Sequence, residues 1–184
     1  PYSSHHPTRV AEVGRCIAED MGADTLEVKT VDIAGSLMSV GKIFIPIEVL
    51  AKGEDLTSEE RQLMNNSYLV SADLLQGVSF EGPVVDTIRQ LGEYWDGSGP
   101  QGLKEDDILH TARIVTVAAA FVDMVSARVH RDAMSFEEAA NTLFSESGTK
   151  FDRKPVTALV NFLENHDGAE RWAHFRDRPN AERP

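Results

Sequence analysis

The sequence predicts an all-α domain, and three observations carry that prediction. Apolar residues recur at helical spacing along most of the chain, as at Val10, Val13, Ile17 and Met21. Two capping boxes, Thr57 to Glu60 and Ser135 to Glu138, each stand at the head of such a run. Nothing supports a sheet beyond a short extended piece near Ile43 to Ile47.

Taken in order, the first helix runs from Val10 to Met21 and stops at Gly22. Leu26, Ile33, Leu37 and Met38 fit a second, which ends at Gly41 before "IFIPIEVL", where Pro46 blocks helical continuation. The Thr57 box launches a third helix, whose period continues through Tyr68, Ala72 and Leu75 to Gly77. Pro83 opens another at its first turn, with Val84, Ile88 and Leu91 facing inward. A loop rich in glycine follows (Gly92, Gly97, Gly99, Gly102). After it, "EDDILHTARIVTVAAAFVDMVSARV" predicts the longest helix, with acidic residues at its positive end and Arg128 at its negative end. The Ser135 box starts a helix through Leu143, and Asp152 with Pro155 starts one burying Val156, Leu159, Val160 and Leu163. Residues 1–165 are expected to form one domain. Residues 166–184 read as a charged tail or linker, with Trp172 and Phe175 docking back.

The 184 residues, 41% apolar, suffice for one domain with a real core. The most apolar stretch, Ile114 to Val125, is interrupted by Thr116 and Asp123 and falls short of the roughly 20 residues that span a bilayer. No membrane association is expected. Without a secretory pattern, and with Cys16 as the single cysteine, a cytoplasmic location is expected. Cys16 lies beside Val13 and Ile17 on an apolar face, which favours a buried thiol over a nucleophile. A net charge of -12 repels polyanions, so a nucleic-acid polymer is a poor partner. A small nucleotide stays open, because two or three basic side chains can hold a phosphate. The chain opens on Pro1 rather than Met, so a partner domain is expected outside it.

The order of "VGKIFIP", "LTSEERQLM", "YWDGSGPQGLKEDDI", "ARIVTVAAAF", "SARVHRDAMSFEEA" and "SGTKFD" resembles the HD-GYP domain of bacterial cyclic di-GMP signalling over about residues 6 to 165. The resemblance implies packed helices, an HD core plus a helical pair bearing the GYP loop. It also implies hydrolysis of cyclic di-GMP at a bi- or trinuclear metal centre, which needs several His and Asp ligands converging from different helices. The sequence departs from that ligand set. Met38 and Ser39 stand where the family has His-Asp, Ser67 where it has a His, Leu91 and Gly92 where it has paired His, and Ala119 where it has Asp. His6 alone remains, and one histidine cannot hold two such cations against water. No metal or other cofactor is therefore expected.

A rebuilt metal site around His6, Asp123 and His130, with His110 flanking the same helix, is the enzyme alternative. Against it, Asp123 is expected to meet an arginine or water, and His130 to pack where relatives carry Tyr. Where the family has Gly-Tyr-Pro, Gly99 is followed directly by Pro100. The glycines then serve tight turns, while the family resemblance implies a surface at Trp95, Gly99 and Pro100 that docks a partner such as a diguanylate cyclase or receiver domain. Lys42, Arg128 and Arg131 stand where relatives contact substrate phosphate, although Lys42 solvated and the arginines capping the long helix is the structural reading. Together these features predict a catalytically inactive regulatory or protein-interaction module in bacterial signal transduction, with a homodimer reasonable. The alternatives are a non-hydrolytic cyclic di-GMP sensor and a phosphohydrolase with a rebuilt metal site.

Overall fold

The structure is a computed structural model that describes residues 6–52, 55–127 and 132–177. Helix α1 (His6–Asp20) buries Val10, Val13, Cys16 and Ile17, as its 3.6-residue spacing requires. Helix α2 (Thr25–Leu37) starts at a third capping box, in which Asp24 accepts from the Glu27 amide at 2.9 Å and Glu27 reaches back to the Asp24 amide at 3.2 Å. Helix α1 packs chiefly on α2 and on α6 (His110–Val125).

The expected extended piece from Ile43 to Ile47 is corrected. Val40–Phe44 is a 3-10 turn, Ile47–Ala51 is a short helix, α3, and only Ile45 and Pro46 are extended. Proline lacks an amide hydrogen and so cannot continue a helix, but at the residue before a helix that hydrogen is not needed. The Pro46 carbonyl there accepts from Val49 and Leu50 and opens α3.

Helix α4 (Ser58–Leu75) begins at the Thr57–Glu60 box as expected, and α5 (Val84–Arg89) begins directly after Pro83. The expected long helix from residue 105 is shorter. Glu105–Asp107 form a separate 3-10 turn, Leu109 is extended, and α6 starts at His110 with no acidic residue in its first turn. The Leu109 amide donates to the Gln90 side-chain carbonyl at 2.7 Å, which takes the chain out of helical register. At the other end α6 stops at Val125, so its last turn carries no basic residue and Arg128 lies outside the described residues. The expected acidic first turn is therefore not part of α6, and burial of Ile114, Val115, Val117, Ala118, Phe121 and Val122 holds the helix.

Helix α7 (Phe136–Ser145) follows the Ser135–Glu138 box. Helix α8 (Arg153–Asn165) is capped by Asp152, which accepts from the Lys154 amide at 2.9 Å, and it buries Val156, Leu159 and Leu163 while Val160 is half-buried. Among the described residues there is no strand beyond an isolated bridge between Ser147 and Phe151. Cys16 is 3% exposed, and burial pushes its thiol above the usual range, in keeping with an inert core position.

In the segment expected as a tail from residue 166, the described part packs on the domain. Helix α9 (Gly168–Arg171) and a 3-10 turn, Ala173–Arg176, return to the core with Trp172 and Phe175 both fully buried. The Trp172 ring lies 5.0 Å from Phe162 and 5.8 Å from Phe121. Glu12 accepts from Trp172 Nε1 at 3.2 Å and from Arg171 Nε at 2.9 Å. Arg9 donates to the Phe175 carbonyl at 2.9 Å and to Ser126 at 3.1 Å, with its guanidinium 4.7 Å above the Phe175 ring. Residues 178–184 lie outside the described residues.

Trp172→Ala should destabilise the protein by about 3–5 kcal/mol in urea unfolding, as for removal of a large buried aromatic. Ser135→Ala should cost about 1 kcal/mol through the lost cap. The Ser135 amide and hydroxyl hold the Glu138 carboxyl below the usual carboxylate range. Its contribution is thus fully present above the ordinary value of 4.5 and is lost as pH falls through the lower folded value. Melting temperatures between pH 6 and 3 should fall less steeply in Glu138→Gln than in the parent.

Candidate functional site

Two places concentrate the residues singled out above. The first is the interior where α2 ends against α4. Met38 is 1% exposed and Ser67 2%, and Met38 shares one apolar cluster with Leu91, against which Ala119 packs half-buried. Ser67 spends its hydroxyl on the Met64 carbonyl of its own helix at 2.6 Å. Ser71 bonds across to the end of α2, its oxygen 2.8 Å from the Met38 carbonyl and 2.8 Å from the Gly41 amide. Ser39 keeps a buried hydroxyl with no hydrogen-bond partner. These groups are a thioether, hydrocarbon and neutral hydroxyls. A centre of two or three hard or borderline cations requires carboxylates and imidazoles, so the residues present at these positions do not fit one. Among the described residues no three His, Cys, Asp or Glu side chains are grouped to hold an ion.

The described candidates for a rebuilt site belong to α1 and α6. His6 opens α1, Asp123 is half-buried in the last turn of α6, and His130 lies outside the described residues. His110 is the first residue of α6, about 20 Å along the axis from Asp123 at 1.5 Å per residue. Its Nδ1 lies 3.0 Å from Glu27 Oε1 instead. Of the phosphate candidates, Lys42 lies half-buried in the 3-10 turn, while Arg128 and Arg131 fall outside the described residues.

The second place is the glycine loop, whose conformation is organised by Glu93. The residue is 3% exposed, and its carboxylate accepts from the amides of Gln101 at 2.9 Å and Leu103 at 3.1 Å. A carboxylate facing converging amides is satisfied without a cation. Gly99 folds over this residue so closely that a Cβ on it would lie 2.7 Å from Glu93 Cα, so glycine is required there by packing. Ser98 bonds the Asp96 carboxyl with its amide at 2.9 Å and, with its hydroxyl, holds that carboxyl below the usual range.

The loop is also joined to the turn between α7 and α8. Trp95 donates to the Lys150 carbonyl at 3.2 Å and Asp96 to the Thr149 carbonyl at 2.9 Å, which brings "YWDGSG" and "SGTKFD" together. Arg113, from α6, completes the join. It donates to Asp152 at 2.9 Å and to Asp106 at 3.0 Å, and its guanidinium lies 5.5 Å from the centre of the Trp95 ring. Arg113 and Asp152 have side chains 11% and 3% exposed, whereas Asp106 is 88% exposed. Of the three residues expected to dock a partner, only Pro100 is exposed. Trp95 is half-buried under Arg113, and Gly99 is committed to packing. Sequence reasoning did not single out Glu93, Arg113 or Ser71. An arginine among the apolar residues of α6, and a carboxylate directly after Gly92 at the head of the loop, were the available signals.

The HD domain family model matches residues 1–154. A cyclic di-GMP phosphodiesterase response regulator, RpfG, from Xanthomonas campestris pv. campestris is 35% identical over 155 residues, covering 83% of this chain and 41% of that protein. A cyclic di-GMP phosphodiesterase of Thermotoga maritima is 34% identical over 160 residues, covering 84% of this chain and 43% of its own length. The chain thus spans less than half the length of these relatives. Among solved structures, an HDG"Y"P protein, Bd1817, from Bdellovibrio bacteriovorus has the same fold, with a TM-score of 0.73 at 22% identity over 88% of this chain and 52% of that one.

Arg113→Ala should destabilise the protein by about 3–5 kcal/mol, because it leaves the Asp152 carboxylate buried without its partner. Asp106→Asn should change stability by less than about 1 kcal/mol, as for an exposed pair. Urea titrations followed by tryptophan fluorescence measure both.

Proposed function

The chain belongs to the HD domain family and is an HD-GYP-like member of it, and on that premise we propose that it is a catalytically inactive regulatory or protein-interaction module in bacterial signal transduction. One observation carries the reading. The positions at which the resemblance places metal ligands hold Met38, Ser39, Ser67, Leu91, Gly92 and Ala119. Met38, Ser67 and Leu91 are buried inside the protein, Met38 and Leu91 within its apolar core cluster. A hydrolase of this family would need a cation to ionise the attacking water, and a thioether, hydrocarbon and neutral hydroxyls are poor ligands for it. Several buried carboxylates and imidazoles left without metal would each cost several kcal/mol, so replacing them together by small or apolar groups is the economical end state.

The surface supports an interaction role. Ile43, Phe44 and Ile47 are 76%, 63% and 71% exposed, three large apolar side chains within five residues. Scattered exposed apolar residues are ordinary, but a contiguous group is a feature of contact surfaces. The relatives' names specify cyclic di-GMP and, in Vibrio cholerae, 3'3'-cGAMP, so cyclic dinucleotides are the ligands to test.

Protein purified without a tag should contain only substoichiometric metal by elemental analysis. It should release no linear dinucleotide or mononucleotide from cyclic di-GMP or 3'3'-cGAMP. Stoichiometric metal, with turnover lost on Asp123→Ala, would overturn the proposal in favour of a rebuilt hydrolase site. Calorimetric heat with cyclic di-GMP at high micromolar concentration, without turnover, would replace it with a nucleotide sensor.

A further inference from the structure

Gly41 and Ser71 are 30 residues apart in the chain and meet in the interior. The Gly41 amide donates to Ser71 Oγ at 2.8 Å, and that oxygen lies 2.8 Å from the carbonyls of both Met38 and Ser67. A hydroxyl has one proton and two lone pairs, so Ser71 accepts from Gly41 while its proton serves the two carbonyls. The bond to Ser67, one turn back, is a common habit of serine within a helix. The bonds to Gly41 and Met38 are not, because they cross from α4 to the end of α2 and the 3-10 turn. Ser71 is 0% exposed, so water does not compete for them. Gly41 lies in the first turn of its 3-10 segment, where amides lack an intrahelical acceptor, and Ser71 supplies one. The fit is close on both sides: a Cβ on Gly41 would lie 2.7 Å from the Ser71 amide nitrogen and 2.9 Å from its hydroxyl oxygen.

The segment held in this way, Val40–Phe44, carries Ile43 and Phe44, and Ile47 follows as the first residue of α3. These three are the most exposed of the large apolar side chains among the described residues. We propose that Ser71 and Gly41 form a clasp that positions the Val40–Phe44 turn on α4 and so sets how Ile43 and Phe44 are presented to solvent. Ser71 is then a positioning residue that acts through the turn. The proposal goes beyond the non-catalytic reading and does not depend on it, since it follows from hydrogen bonds present whether or not the protein turns over a substrate.

Amide hydrogen exchange by NMR, with limited tryptic cleavage after Lys42, tests it. In the parent protein the Gly41 amide should be protected although it sits in a single short turn. Exchange there at the unprotected rate would overturn the clasp without any variant being needed. In Ser71→Ala the Gly41 amide should exchange at least tenfold faster and Lys42 cleavage should accelerate similarly, while the amides of Val117 to Phe121 in α6 keep their protection. Gly41→Ala should reproduce this local loosening, and the double variant should be little worse than the worse single one. Unchanged exchange at Gly41, equal loosening throughout the molecule, or additive effects would each overturn the proposal.

Discussion

The buried ion pair between Arg113 and Asp152 is the contact on which the loop half of the molecule depends. Asp152 is both the N-cap of α8 and the partner of Arg113, one oxygen accepting from the Lys154 amide and the other from the guanidinium. Arg113 in turn reaches Asp106 and the Trp95 ring, so a single α6 side chain fixes the glycine loop, the turn before α6 and the start of α8. Such a pair is costly to desolvate and justifies its place by geometry. It specifies where three segments meet that no continuous apolar face would bring together.

The two candidate regions are organised by opposite means. The loop is held by charge, with Glu93 gathering amides and Arg113 gathering carboxylates. The interior where α2 meets α4 is held by neutral groups, the Ser71 hydroxyl and the Met38 side chain packed in the apolar cluster. A neutral hydroxyl bonded to backbone can be buried at little cost, which makes it a suitable joint where carboxylates would need a cation. That contrast fits the reading of an HD domain whose interior contributes stability and whose surface contributes function.

Helix existence was legible for the longer helices but not for α3 or α9, and helix ends were not always legible. The boxes at Thr57 and Ser135 name their own start sites, because the cap and its partner lie three residues apart in sequence. The start of α6 had no such local signal. Three consecutive acids looked like a favourable first turn, yet the Gln90 side chain, 19 positions upstream, captures the Leu109 amide and moves the helix start to His110. Pro46 was read as a barrier to helix when it is the residue from which one begins, and both behaviours follow from its missing amide hydrogen.

By itself the sequence determined the all-α class, the burial of the α6 face, and which residues (Met38, Ser39, Ser67, Leu91, Gly92 and Ala119) stand where the family resemblance implies ligands, because residue identity and order along one chain suffice for each. The tertiary structure alone decided what Trp172 and Phe175 dock against, that Glu93 and Arg113 organise the loop, and that Ser71 joins α4 to the end of α2. Each of those depends on partners far away in the chain: Phe121 and Glu12 for Trp172, Asp152 for Arg113, Gly41 for Ser71. A side chain's local pattern records its helix and its face. Which distant backbone or charge it meets is set only once the helices have packed.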